Sequence, residues 1–317
     1  MNKMERFHAA VAGNPVDRIP ITVWLHFVTD FVDGAESARL HARFFRQYDW
    51  DLAKVISDYR LPLPDGMETF ESPQDMARIR PASMAERTYQ EQFRLLRVLR
   101  ADLGEDWPII DTTFEPLQQI TRKVGSAKTK MIFDNPALAK PMLEALTETV
   151  IAYVRELKRI GVDGVLYSVF GGIQKPHPKG IDDATFKEFM RPYDQAILAE
   201  MEGMVRILHV CQTHLDFDRF DDYPCEALSW WDRHPSCPSL AEMRKRTDKC
   251  LVGGMDHEAI IDRSVPDLRA EINDAIDQVD GHRFILGPGC TIRSQVPQHI
   301  LNCIRTTVNE RGMKSAA

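Results

Sequence analysis

The sequence has 317 residues, 44% of them hydrophobic and 27% charged, the balance of a globular protein with a substantial core. Forty basic against forty-seven acidic side chains leave a net charge of −7, which argues against nucleic acid as a partner, and no stretch reaches the roughly 20 apolar residues that cross a bilayer. Six cysteines in so long a chain do not make a disulfide scaffold; they are expected as thiols, mostly small buried hydrophobes, with one or two left to act as ligands.

No Ser/Gly linker, low-complexity tract or charge block divides the chain, so residues 1–317 are expected to form one domain. The opening MNKMERFHAAVAGNPVDR lacks the long apolar centre of a secretory signal, and a cytoplasmic address is expected. The first apolar run is RIPITVWLHF (18–27), followed by the helically spaced ESARLHARFFRQY. LAKVIS (52–57) leads to SMAERTYQEQFRLLRVLRADL, WPIIDTTF (107–114) to NPALAKPMLEALTETVIAYVRELKRIG, and VDGVLYSVF (162–170) to DDATFKEFMRPYDQAILAEMEGM. RILHVCQT (206–213) has only a short connection, His214 to Pro224, before ALSWWD (227–232). SLAEMRKRT, CLVGGMD (250–256), VPDLRAEINDAIDQV, RFILGPGC (283–290) and VPQHILNCIRTTVNERG complete the series. Helix starts are read at Asp134-Asn135-Pro136, Asp182-Asp183 and Ser236, and ends at Gly161, Gly203 and Gly312. Eight strand–helix alternations predict a parallel (β/α)8 barrel, since no Gly-rich phosphate turn follows an early strand as an open doubly wound sheet would want.

In such a barrel the chemistry gathers at the C-terminal ends of the strands. Those ends carry His26, Asp58, Ser168, His209, Cys211, Asp232, Asp256 and Cys290. In His209-Val210-Cys211 the imidazole and thiol point to the same side of a strand, and an N/S pair suits zinc. The same spacing also fits a packed histidine beside an inert thiol; Cys290, at the end of GPGC, is what tips the reading toward metal. Asp232 is a candidate fourth ligand, or a helix cap. Asp58 is read either as a carboxylate in the barrel mouth or as an Asx-turn. His26, among Trp24, Leu25 and Phe27, reads as a rim histidine first and a ligand second. The run Arg94–Arg100 is spaced like a solvated helix face, and Trp230-Trp231 like a pocket wall or packing.

These residues bring a family into view. The chain resembles the uroporphyrinogen decarboxylase superfamily over most of its length, through RFHAAVAGNPVDRIPITVW, LAKVISDYRLPLPDGM, IDDATFKEFMRPYDQAIL and RFILGPGCTIRSQVPQHILNCI. The resemblance implies a distorted (β/α)8 barrel and one of two chemistries. The decarboxylase needs no metal or cofactor and clamps its tetrapyrrole with an arginine motif after the first strand. Here that stretch reads ITVWLHFVTDF, without arginine. Asp58 does fall where the decarboxylase carries its catalytic aspartate. The other branch holds zinc in a His-x-Cys motif with a distant Cys, which His209, Cys211 and Cys290 match, and moves a methyl group from a corrinoid to a thiol. Cobalamin-independent methionine synthase, a more distant relative, uses a similar zinc arrangement with a carboxylate.

The sequence therefore points to a zinc-dependent methyltransferase. Zn2+ is expected at His209, Cys211 and Cys290, with Asp232 as the possible fourth ligand. The donor is expected to be a methylcobamide on a separate corrinoid protein, and the acceptor a small thiol. Asp58 is expected in a catalytic role, with His26 and Ser168 shaping the substrate pocket. The rivals are a metal-free decarboxylase or lyase acting through Asp58, and a non-catalytic barrel that binds a corrinoid or tetrapyrrole.

Overall fold

Short, inward-apolar runs buried on both faces favour parallel strands, and the helically spaced segments between them supply the cover. The computed structural model describes residues 1–315. Its elements in order are α1 (Lys3–Ala12), α2 (Gly34–Gln47), β1 (Ala53–Lys54), α3 (Arg87–Leu103), β2 (Ile109–Phe114), α4 (Pro116–Val124), α5 (Thr129–Phe133), α6 (Pro136–Ile160) and β3 (Gly164–Val169). They continue with α7 (Asp183–Phe189), α8 (Arg191–Glu200), β4 (Val205–Val210), β5 (Ala227–Ser229), α9 (Leu240–Arg244), β6 (Cys250–Met255), α10 (Val265–Asp277), β7 (Phe284–Pro288) and α11 (Gln298–Ser315). The seven strands lie side by side in sequence order, every neighbouring pair parallel.

The eighth member of the barrel is the expected first run, but it is not a regular strand. It forms only isolated bridges, Ile21 to Leu286 and Leu25 to Ile292. Thr22 N–H donates to the Leu286 carbonyl at 2.9 Å and Leu286 N–H to that of Pro20 at 2.9 Å, while on the other side Asp51 N–H donates to the Ile21 carbonyl at 2.8 Å. Pro20 has no N–H for the ladder, and Val28 (φ +55°) turns the chain away. A buried carboxylate knits this seam. Asp51 accepts from Arg6 at 2.9 Å, Arg18 at 2.6 Å, Arg305 at 3.2 Å and the Ile21 N–H at 2.9 Å.

Leu52, Ile56, Ile110, Leu166, Val205, Ile207, Ala227, Val252 and Ile285 fill the lumen, and Phe7 and Ala10 of α1 pack among them. Arg283, just before β7, donates to the Val11 carbonyl at 3.2 Å, so α1 closes the N-terminal end and leaves the other end as the mouth. The expected helix after β3 breaks into α7 and α8 at Met190 (φ −131°), because Pro192 lacks an N–H and crowds the preceding turn. Ser239, not Ser236, caps α9, and Gly312 lies inside α11 rather than at its end. The β4–β5 connection holds a single 3-10 turn, Asp218–Phe220. Among the described residues no helix is long and apolar enough to cross a membrane.

Candidate metal centre

The alternation of β4 turns Val205 and Ile207 into the lumen and brings His209 to the mouth, in register with Ser168 on β3 and Ser229 on β5. His209 is buried, and its Nδ1 hydrogen-bonds the Ser229 hydroxyl at 3.2 Å. That contact orients the ring and leaves Nε2 as the free ligand atom. Cys211 extends the ladder by one bond, its N–H donating to the Val169 carbonyl at 3.0 Å. Gln212 then turns the chain outward at φ +85°, a backbone conformation costly for a residue with a side chain and common at functional sites.

Cys290 arrives from β7 through Gly289. A Cβ on Gly289 would sit 2.8 Å from Trp231 Cα and 3.1 Å from the Trp230 carbonyl, so only glycine lets this strand end lie against β5. The ligand atoms of His209, Cys211 and Cys290 all fall within 4.8 Å of one another. Tetrahedral zinc with one nitrogen and two sulfur ligands needs separations of about 3.5–3.8 Å, so the donor set and its spacing, within 4.8 Å, fit that ion after small side-chain shifts. Cys211 shares its S–H with Cys290, and this hydrogen bond, with His209 alongside, pulls Cys290 well below the usual thiol range although burial opposes it. The same bond, with burial, pushes Cys211 up.

Asp232 does not join this cluster. Its Oδ1 accepts from Gly254 N–H at 2.9 Å and lies where a Cβ of the outward-facing Gly253 would stand, beside Leu240. The carboxyl therefore sits behind β6, outside the lumen, where burial raises it to about 7. Asp256 accepts from Glu258 N–H and Ala259 N–H and caps the turn that follows it. Ser168 lies on the lumen face beside His209.

His26 and Asp58, expected separately, form a dyad. His26 Nδ1 lies 2.7 Å from Asp58 Oδ1, and Thr29 N–H donates to Oδ2 at 3.3 Å. His26 is 41% exposed, while Asp58 is 9% exposed, so the carboxylate is fixed and the free face of the imidazole looks outward. Burial raises the Asp58 pKa, but the bond and charge of His26, the Thr29 N–H and the nearby His41 together outweigh it and hold the carboxyl below its ordinary value. Trp230 is core, its Nε1 donating to the Pro238 carbonyl at 2.7 Å, whereas Trp231 forms a wall against His257, with ring centroids 4.5 Å apart. The run Arg94–Arg100 is exposed at Arg94 and Arg97, but Arg100 is buried and binds the Gly104, Trp107 and Gly161 carbonyls.

Three site residues escaped the sequence reading. His257 is buried beside Trp231 with its Nδ1 unpartnered, close enough for Cys290 and His209 to act on it. Arg122 on α4 lays its guanidinium 3.8 Å above the Phe114 ring and lines a cavity with Ser57, Arg60 and Thr112; the charges that reach it include Arg60, Asp58 and Cys211. Lys54 projects into the lumen from β1, its Nζ 4.6 Å above the Trp24 ring, and burial lowers it to about 7. The signal for Lys54 was legible as a charged residue between two inward-facing apolar ones, Leu52 and Ile56.

Residues 60–311 match the family described as uroporphyrinogen decarboxylase (URO-D). The uroporphyrinogen decarboxylase of Alcanivorax borkumensis is 25% identical over 350 aligned positions, spanning 93% of this chain and 94% of its own. A methyltransferase from Methanosarcina mazei has the same fold, with a TM-score of 0.79 at 17% identity over 98% of this chain and 99% of its own. So has a B12-independent methionine synthase from Shewanella sp. W3-18-1 solved with selenomethionine, with a TM-score of 0.59 at 11% identity over 95% and 94%.

Proposed function

The chain belongs to the uroporphyrinogen decarboxylase family, and we propose that within it this protein is a zinc-dependent methyltransferase. It takes its methyl group from a methylcobamide on a separate corrinoid protein received over the barrel mouth, and gives it to a small thiol. The observation that carries this reading is the convergence of His209, Cys211 and Cys290 from two distant strand ends to within 4.8 Å. A decarboxylase has no need of such a cluster. The shared fold with a methyltransferase and a methionine synthase is consistent with it.

Zinc held there supplies a positive centre that lowers the pKa of an acceptor thiol, so that the nucleophilic thiolate is present near neutral pH. Ser229 fixes the His209 ring so that Nε2 is presented. Asp58 holds His26 through Nδ1, which leaves His26 Nε2 at the rim to accept the proton an acceptor thiol gives up. Ser168 shapes the wall beside His209, and Trp231 with His257 forms the opposite wall.

One observation favours a second reading. Arg122 and Arg60 stand near Asp58 and would receive the carboxylates of a smaller substrate decarboxylated without metal. The two readings separate in one assay. Zinc-loaded protein is incubated with methylcobalamin and a panel of small thiols, and thioether formation is followed. Product that depends on Cys290 supports methyl transfer. No product from any thiol, together with CO2 release from small carboxylated substrates by metal-free protein, would replace it with decarboxylation.

A further inference from the structure

Position 54 faces the lumen, between Leu52 and Ile56 of the inner cluster, where a parallel barrel ordinarily places apolar side chains. Lys54 is 4% exposed, and its ammonium rests 4.6 Å above the Trp24 ring. Among the described residues it makes no hydrogen bond and no ion pair. The one carboxylate that acts on it, Asp111, stands on the far side of β2, bound by Gln92 of α3 and Tyr153 of α6. The other group that acts on it is Cys290. A buried cation with no anion at hand is destabilising unless something meets it.

Charge balance identifies what meets it. A divalent metal held by one neutral imidazole and two thiolates is neutral overall. Lys54 in its ammonium form then adds one positive charge to the lumen, and one arriving anion cancels it. A thiol acceptor supplies that anion by binding without its proton, which His26 at the rim takes up and hands to solvent. We propose that Lys54 is a positioning residue for the acceptor, its ammonium holding the anionic sulfur at the barrel mouth beside Cys290. This rests on the reading of the centre as a site for metal and thiol.

The test uses cobalt(II)-loaded protein titrated with 2-mercaptoethanol, read by the sulfur-to-cobalt charge-transfer band, for wild type, Lys54→Met and Lys54→Arg. Methionine keeps an unbranched side chain, one atom shorter, and removes the charge together with the ammonium's contact to Trp24. The expected result is full metal loading in all three, half-saturation by thiol at about tenfold or higher concentration in Lys54→Met, and near wild-type binding in Lys54→Arg. Should Lys54→Met not fold, Lys54→Gln is measured in its place. Equal thiol affinity in metal-loaded wild type and in the uncharged variant overturns the role of Lys54 alone. Loss of metal from the uncharged variant overturns it too, because the charge then serves the ligands rather than the acceptor. A loaded wild type that gives no thiol-dependent band overturns the methyltransferase reading, and this inference with it.

Discussion

Removing the Asp51 carboxylate should open the barrel at its weakest seam. Its side chain is fully buried, and those of Arg6, Arg18 and Arg305 are 6%, 18% and 12% exposed. Asp51→Ala deletes the anion shared by these cations from α1, the first extended segment and α11, and it also orphans the Ile21 N–H. Breaking a buried ion pair by removing one partner costs about 3–5 kcal/mol. For a chain of this size roughly 2 °C of melting temperature goes with each kcal/mol, so a fall of ~6–10 °C is expected. Asp51→Asn, which keeps an acceptor oxygen, should fall between wild type and Asp51→Ala. The assay is thermal unfolding followed by circular dichroism across pH. Burial would raise the Asp51 pKa, but the bond from Arg18 and the charges of Arg305 and Lys3 outweigh it and hold it below the ordinary 3.8. The stability it confers is therefore present above pH about 4 and is lost as pH falls through the folded-state value. Melting temperatures of both variants within about 1 °C of wild type at pH 7 would refute the idea that this carboxylate holds the seam.

Other substitutions probe the mouth. Ser229→Ala removes the contact that orients His209 and should weaken zinc affinity about 10–100-fold, measured by competition with a chromogenic chelator. Gly289→Ala would set a Cβ 2.8 Å from Trp231 Cα and should displace Cys290, so that purified protein carries clearly less zinc than wild type while its circular dichroism stays unchanged. Asp58→Asn leaves the three ligands in place but loosens His26, and should slow thiol methylation about 100-fold at unchanged zinc content.

The barrel was legible because burial on both faces writes continuous apolar runs, and seven of the eight runs became regular strands. The run at 18–27 kept its place between β7 and β1 but lost its ladder, through the missing N–H of Pro20 and the turn at Val28. Of the site, His209 and Cys211 follow from strand periodicity, and Cys290 from its position at another strand end. Asp232 misled because a strand end does not fix which face a side chain takes: its carboxyl went outward to Gly254. The His26–Asp58 pair joins residues 32 apart in sequence, a distance that no local pattern spans. Arg122 was missed because α4, which carries it, was not recognised as a helix.

The most direct test of the central claim is the zinc content of protein purified without added metal, for wild type and for Cys290→Ser. About one zinc per chain in wild type, lost in the variant, is expected of a centre built on His209, Cys211 and Cys290. A wild type that carries no zinc and stays inactive when zinc is supplied would contradict it, and would move attention to Asp58 and decarboxylation.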